Sequence, residues 1–317
     1  MLGFALRSIL AQTYEDFDVL VWNDGGVPMV GVVAELSDPR VRYHHHPDNL
    51  GVAHAVAAQM QATNGELIAH MDDDDEWEPT FLERQVKLLD TYPTAALAFC
   101  DHSILNEDGE HDERSSVENS RRWGRLDLTP GLHEPAFVLA YRGAIPIASA
   151  AVFRRAGVDL ADFPEALSYA WDRWLCYLIT RTGRGIVYEP RRLARKRRHP
   201  AQMGRSVATT NNLTDLVIAY ERLWDDRSFR VDRVDLARRL SDANANLAVA
   251  LMRDGERVRA IAAARRSLNV RRSPRGAVAL VAAGLPASIG RALAVGASAT
   301  LARWRQLTQA SVIGQGR

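Results

Sequence analysis

Four consecutive aspartates, Asp72, Asp73, Asp74 and Asp75, follow directly on the apolar run 67–71, and this juxtaposition constrains the fold more than any other feature. A short apolar run bounded by turn signals reads as a buried strand. Adjacent carboxylates repel one another unless water or a cation neutralises them. In open α/β sheets, ligands bind beyond the carboxyl ends of the strands, which is where this group stands. A hard divalent ion with oxygen ligands, Mg²⁺ or Mn²⁺, would satisfy it and could bridge to a nucleotide diphosphate. For an isolated acidic run, a solvated turn is the commoner meaning. Placement at a strand end favours a site.

The surrounding pattern alternates between strands and helices. Residues 18–22 form a second apolar run, which ends in the turn Asn23-Asp24-Gly25-Gly26 and puts another acid, Asp24, at a strand end. A short helix at 30–36 and a strand at 41–44 follow. Asn49-Leu50-Gly51 then opens a helix running to about 63, and Pro79 sits in the first turn of another running to 92. A strand is expected at 95–100. Such alternation predicts an α/β fold with a mostly parallel central sheet. From 108 to 146 the pattern dissolves into polar, Gly- and Pro-containing sequence, as functional loops do. Beyond 205 the chain reads as helices at 212–224, 234–253 and 257–268, which divides it into domains at 1–205 and 206–317.

Composition removes several classes. With 47% hydrophobic and 25% charged residues, the chain is neither disordered nor fibrous. Its 40 Lys+Arg against 39 Asp+Glu exert no global pull on nucleic acid. The two cysteines, Cys100 and Cys176, make no disulfide framework and lack metal-ligand spacing, which suits a reducing compartment. The first ten residues lack a secretory pattern. The apolar stretch 277–300 is broken by Pro286 and Arg291 and makes a poor membrane span. A cytoplasmic protein is expected, with peripheral contact at the inner face of a membrane through 277–305 left open.

The residues from Ala5 to Gly109 are similar to glycosyltransferase family 2, inverting enzymes of the GT-A fold. The matching pieces are the segment 6–17, Trp22-Asn23-Asp24-Gly25-Gly26, Asn49-Leu50-Gly51-Val52-Ala53, and 64–77 leading into the DxD-like Asp72-Asp73-Asp74. Further on, 147–155, the Asp172 region and Arg198-His199-Pro200 resemble the segment beyond the acceptor loop, the catalytic helix and the closing loop. The family's first strand has no counterpart, since Met1 already lies in the helix that follows it.

The resemblance implies transfer of a sugar from a nucleotide-sugar donor to a hydroxyl of a saccharide or lipid-linked acceptor, with inversion, in cell-envelope or exopolysaccharide synthesis. Asp24, Asn49, Gly51 and Asp72 would hold the nucleotide. Asp72, Asp74 and His199 would hold a Mg²⁺ or Mn²⁺ ion. Asp172 would be the base, with Trp171 where the family usually has Glu. Read without the family, Asp172 is an acid in a helix's first turn, stabilised by the macrodipole, and His199 is a surface histidine beside a basic run. His44, His45 and His46 cannot all ligate one ion, because consecutive strand residues face opposite ways. His70 reads as a packed strand residue. The basic cluster Arg191, Arg192, Arg195, Lys196, Arg197 and Arg198 reads as a solvated face or as a surface for anionic headgroups or a diphosphate. Two competing functions remain: a non-catalytic binding or scaffold protein on a degenerate GT-A fold, and a metal-dependent phosphohydrolase.

Overall fold

The computed structural model describes residues 1–199 and 209–285. They fall into two compact units, one comprising Met1–Arg205 with Ser228–Val231, the other Ser206–Arg227 with Asp232–Arg317.

The first unit begins with α1 (Leu2–Leu10), β1 (Val19–Asp24), α2 (Val30–Ala34), β2 (Val41–His46) and α3 (Val52–Gln61). It continues through β3 (Leu67–Ala69), β4 (Glu76–Trp77), α4 (Phe81–Thr91), β5 (Leu97–Leu105) and α5 (Glu113–Arg122). After β6 (Gly131–His133), α6 (Phe137–Arg142), α7 (Ile147–Ala150) and β7 (Ala151–Arg154) come α8 (Trp171–Thr180) and β8 (Ile186–Arg197). β1 and β2 pair in parallel as a two-stranded sheet. The larger sheet runs β3-β7-β5-β8-β4, with β6 also on β8.

Every residue of β5 is buried, which makes this strand the centre of the unit. Helix α1 turns Ala5, Leu6 and Ile9 inward, and α4 turns Phe81, Leu82, Gln85 and Leu89 inward, at the spacing of one helical face. Leu6, Ile9, Phe81 and Leu89 join Val19 of β1 and Ala98 of β5 in one apolar cluster, so both sheets lie on a common core.

The α/β class expected from the sequence is present, but the mostly parallel sheet is corrected to a mixed one. β7 runs antiparallel to both β3 and β5, and β4 and β6 run antiparallel to β8, whereas only β5–β8 is parallel in the larger sheet. Ser149, two residues before β7, has a φ of 63° at the entry to this strand. β8 carries Pro190 where its register against β5 slips between Cys100 and Asp101. A proline has no N–H for the ladder and is tolerated at such an irregularity.

The region 108–146 is anchored from within. Arg125 is buried, and its Nε donates to Asp101 Oδ1 of β5 at 2.8 Å. Its other nitrogens donate to the Ala144 carbonyl at 3.2 Å and to the Asn119 side chain. Ser120 Oγ donates to the second Asp101 oxygen at 2.5 Å.

The second unit consists of α9 (Thr210–Asp225), α10 (Arg233–Arg253), α11 (Arg257–Val270) and α12 (Pro274–Gly284). Side chains of Thr209, Asp232 and Ser273 cap α9, α10 and α12 by accepting from backbone N–H groups of the first turn. α10 packs against the other three helices. Among the described residues no helix is long and apolar enough to cross a membrane. Residues 286–305 of the stretch considered for membrane contact lie outside the described residues.

Arg125→Met is expected to destabilise the protein by about 3–5 kcal/mol in urea unfolding, because it strands the buried Asp101 carboxylate. A loss under 1 kcal/mol would show that the pair does not anchor this region.

Candidate active site

β3 ends at Ala69, and the chain turns through the aspartates with Asp75 N donating to the Asp72 carbonyl at 3.2 Å. Asp72, Asp74 and Asp75 each offer a carboxylate oxygen, all within 4.8 Å of one another, while Asp73 is exposed. Ser149 fixes this turn. Its N–H donates to the His70 carbonyl at 3.0 Å, its hydroxyl accepts from Asp72 N at 3.0 Å, and its carbonyl accepts from Trp77 Nε1 at 2.7 Å. A buried non-glycine residue held at positive φ, with its polar atoms spent on the neighbouring turn, is the kind of strain that functional sites retain.

The carboxylates have different partners. His70 Nε2 lies 3.1 Å from Asp72 Oδ1, and His199 Nε2 lies 2.9 Å from Asp74 Oδ2. Asp75 Oδ1 accepts from Arg197 N at 3.1 Å, but its Oδ2 is buried without a hydrogen-bond partner. Burial pushes the Asp75 carboxyl up to about 6, Lys196 pulling it down and Asp72 pushing it up further. Burial also acts upward on Asp72, but the His70 hydrogen bond and charge, with Lys196, bring it down to about 2. Three convergent carboxylates with one orphaned oxygen match the donor set of a hard divalent cation.

The second strand-end acid has a different setting. Asp24 Oδ1 accepts from Leu50 N at 2.9 Å and Oδ2 from Gly51 N at 3.1 Å, while Asn49 Oδ1 also accepts from Gly51 N at 2.9 Å. Asp24, Asn49 and Gly51 therefore meet in one turn at the entrance to α3. Gly25 is required there, because a Cβ would lie 2.5 Å from Asn49 N.

A chain of contacts joins this turn to the acidic cluster. Ala53 N, in the first turn of α3, donates to the Ser168 carbonyl at 3.3 Å, just before α8. The first residue of α8, Trp171, packs edge-on against His70 at 4.6 Å between ring centroids, and His70 holds Asp72. Asp172 is the next residue. It is exposed, accepts from Arg173 N at 2.7 Å, and its charge reaches Lys196.

His70 and Ser149 touch the acidic turn although the sequence reading gave neither a role in the site. The packed reading of His70 missed its bond to Asp72, and nothing in a Ser-Ala-rich segment announced Ser149. The basic cluster forms β8 and its flank, with Arg191 and Arg198 exposed and Arg192, Arg195, Lys196 and Arg197 half-buried against acids. Arg191 lies beside Glu189, Arg192 pairs with Glu113 and Asp101, Arg195 with Glu78, Lys196 with Asp75, and Arg197 with Glu76. Arg198 donates to Ser115 Oγ at 2.9 Å. His44 and His46 share a face with Trp22, the His44 ring 4.1 Å from the indole.

The mixed sheet with helices and a carboxylate cluster at a strand end is the arrangement expected of a GT-A fold. Solved structures share this fold. TarS of S. aureus in complex with UDP has a TM-score of 0.57 at 12% identity, covering 86% of this chain and 85% of that one. The mannosyltransferase PcManGT of Pyrobaculum calidifontis, in complex with GDP-Man and Mn²⁺, has a TM-score of 0.52 at 18% identity, covering 97% and 79%. The family model for glycosyl transferase family 2 matches residues 1–158. An uncharacterized glycosyltransferase of Rickettsia typhi is 24% identical over 229 residues, 69% of this chain and 65% of that protein, so the match spans less than two thirds of the relative. A glycosyl transferase of Escherichia coli K12 named for colanic acid biosynthesis, WcaA, is 32% identical over 81 residues, 25% of this chain and 29% of that protein. The match to glycosyl transferase family 2 thus takes in residues 1–158 of 317, just under half of the chain.

The raised carboxyl of Asp75 sets a pH signature. Between the ordinary value near 3.8 and about 6, the folded state holds a proton that the unfolded state has lost. Raising the pH through this window therefore removes stability, and Asp75→Asn escapes the loss. The variant is expected to gain ~1–3 kcal/mol relative to the parent between about pH 4 and pH 6. Parallel stability–pH curves for the two proteins would contradict the assignment.

Proposed function

We propose that the chain transfers a glycosyl unit, with inversion, from a nucleoside diphosphate sugar to a hydroxyl of a saccharide or lipid-linked acceptor in cell-envelope or exopolysaccharide synthesis. The observation that carries this reading is the convergence of Asp72, Asp74 and Asp75 at a strand end, with a buried oxygen on Asp75 that has no hydrogen-bond partner. Asp72 and Asp74 are the proposed ligands of a Mg²⁺ or Mn²⁺ ion, with Asp75 and His199 beside them. Bound there, the ion would neutralise charge on the departing diphosphate as a Lewis acid. The Mn²⁺ and GDP-Man of PcManGT, and the UDP of TarS, support a nucleotide-sugar donor and a divalent cation in general terms.

The chain's own residues divide the remaining work. Asp24 orders the Asn49-Leu50-Gly51 turn, which offers the nucleoside a preformed edge at the start of α3. Asp172 is the proposed base, taking the acceptor hydroxyl proton as that oxygen attacks the anomeric carbon. Its exposure leaves it accessible to an acceptor, and the Trp171–His70–Asp72 contacts tie its helix to the acidic turn. Nucleotide sugars are cytoplasmic metabolites, so the reaction is placed on the cytoplasmic side, at or near the inner membrane face.

One observation favours a second reading, a binding or scaffold protein on the same fold. Asp172 accepts from the adjacent backbone N–H and lies in the first turn of α8, as an acid stabilised by the helix dipole would.

Asp172→Asn separates the two readings. As a base, Asp172 cannot be replaced by an amide, and transfer is expected to fall about 10²–10⁴-fold with donor affinity unchanged. Near-parental transfer by a folded variant would remove Asp172 from the mechanism. Asp74→Ala is expected to abolish Mn²⁺-dependent donor binding in calorimetry while the fold survives. Undiminished binding would exclude Asp74 as a ligand.

A further inference from the structure

The acidic cluster already has a cation. Lys196, on the last turn of register of β8 before Arg197, places Nζ 3.8 Å from Asp75 Oδ2, the oxygen without a hydrogen-bond partner. The other proposed ligands are engaged by imidazoles, Asp72 by His70 and Asp74 by His199. Neighbouring Arg197 is committed elsewhere, its guanidinium on Glu76 at 2.6 Å. Burial acts to discharge Lys196, but the charges of Asp75, Asp72, Asp172 and Asp74 outweigh it and hold the ammonium charged. A permanent positive charge thus stands among the carboxylates proposed as metal ligands.

An ammonium and a divalent ion compete for the same oxygens, and at a few ångströms they repel each other strongly. Taken alone, a divalent cation must displace Lys196 from Asp75 or tolerate it. A diphosphate changes that balance, because its oxygens give Lys196 another counter-ion and screen it from the metal. Affinity for each ligand then rises when the other is present, and the coupling is reciprocal.

We propose that Lys196 is a resident counter-cation of the Asp72–Asp74–Asp75 cluster, which keeps affinity for a divalent cation alone low and makes cation and diphosphate bind cooperatively. The proposal rests on the reading of these carboxylates as a metal site. It assigns to Lys196 neither base nor nucleophile chemistry; its role is to set the order and strength of loading.

The test is calorimetric titration of Mn²⁺ into the full-length protein and its Lys196→Met and Lys196→Arg variants, each alone and with UDP or GDP present at saturating concentration. For the parent, Mn²⁺ alone binds weakly and a nucleoside diphosphate tightens it at least about tenfold, the effect of one unit charge at 4–6 Å. Lys196→Met binds Mn²⁺ alone about tenfold more tightly and loses most of that tightening, while Lys196→Arg behaves like the parent. Mn²⁺ affinity of Lys196→Met equal to or below that of the parent, or full retention of the coupling, overturns the proposal and leaves the metal site standing. Failure of both proteins to bind Mn²⁺ at millimolar concentration overturns the metal site too. Circular dichroism checks each fold, and Lys196→Gln replaces the Met variant if the latter does not fold.

Discussion

The acidic turn after β3 exists because β8 and its flank answer it charge for charge. Asp75 is buried with Lys196 opposite one oxygen and the Arg197 backbone on the other, and Asp74 meets His199 two residues further on. Of the three carboxylates within 4.8 Å, Asp75 is the buried one, and its charge is the one that most needs the cation beside it. β8 lies beside β5 and antiparallel to β4, the strand that leaves the acidic turn, and this arrangement brings Lys196 to Asp75.

Much of the fold was legible because it is carried by local patterns. The helices of α1, α3 and α4 and the strand runs at β1, β3 and β5 follow apolar periodicity and turn residues, signals that act within one element. The sheet's direction was not. β7 pairs antiparallel with β5 across the intervening α5, β6, α6 and α7, and a pairing between segments so far apart leaves no local pattern. β8 was hidden for another reason. A strand reading Glu189-Pro190-Arg191-Arg192 has no apolar alternation, because its cations are satisfied by acids from α5, β4 and β5 rather than by solvent.

The site divides in the same way. Asp24 and the Asp72–Asp75 run stood out because strand ends are local signals, whereas Asn49 and Gly51 entered as nucleotide-site candidates through resemblance. His199 was nameable only by resemblance, and the structure sets it against Asp74. Ser149 and Lys196 reach the site from distant segments, whereas His70 lies two residues before Asp72 and was read as packing. Asp172 lies between these cases: its helix is tied to the acidic turn through Trp171 and His70, yet its own hydrogen bond is that of a helix-start acid.

The central claim is that Asp72, Asp74 and Asp75 form a divalent-cation site at the end of β3. Anomalous diffraction from crystals grown with Mn²⁺ and UDP tests it without recourse to activity. The account requires one anomalous peak within coordination distance of at least two of these three carboxylates. A peak at His44 and His46 alone, or none in the cluster at full Mn²⁺ saturation, would contradict it.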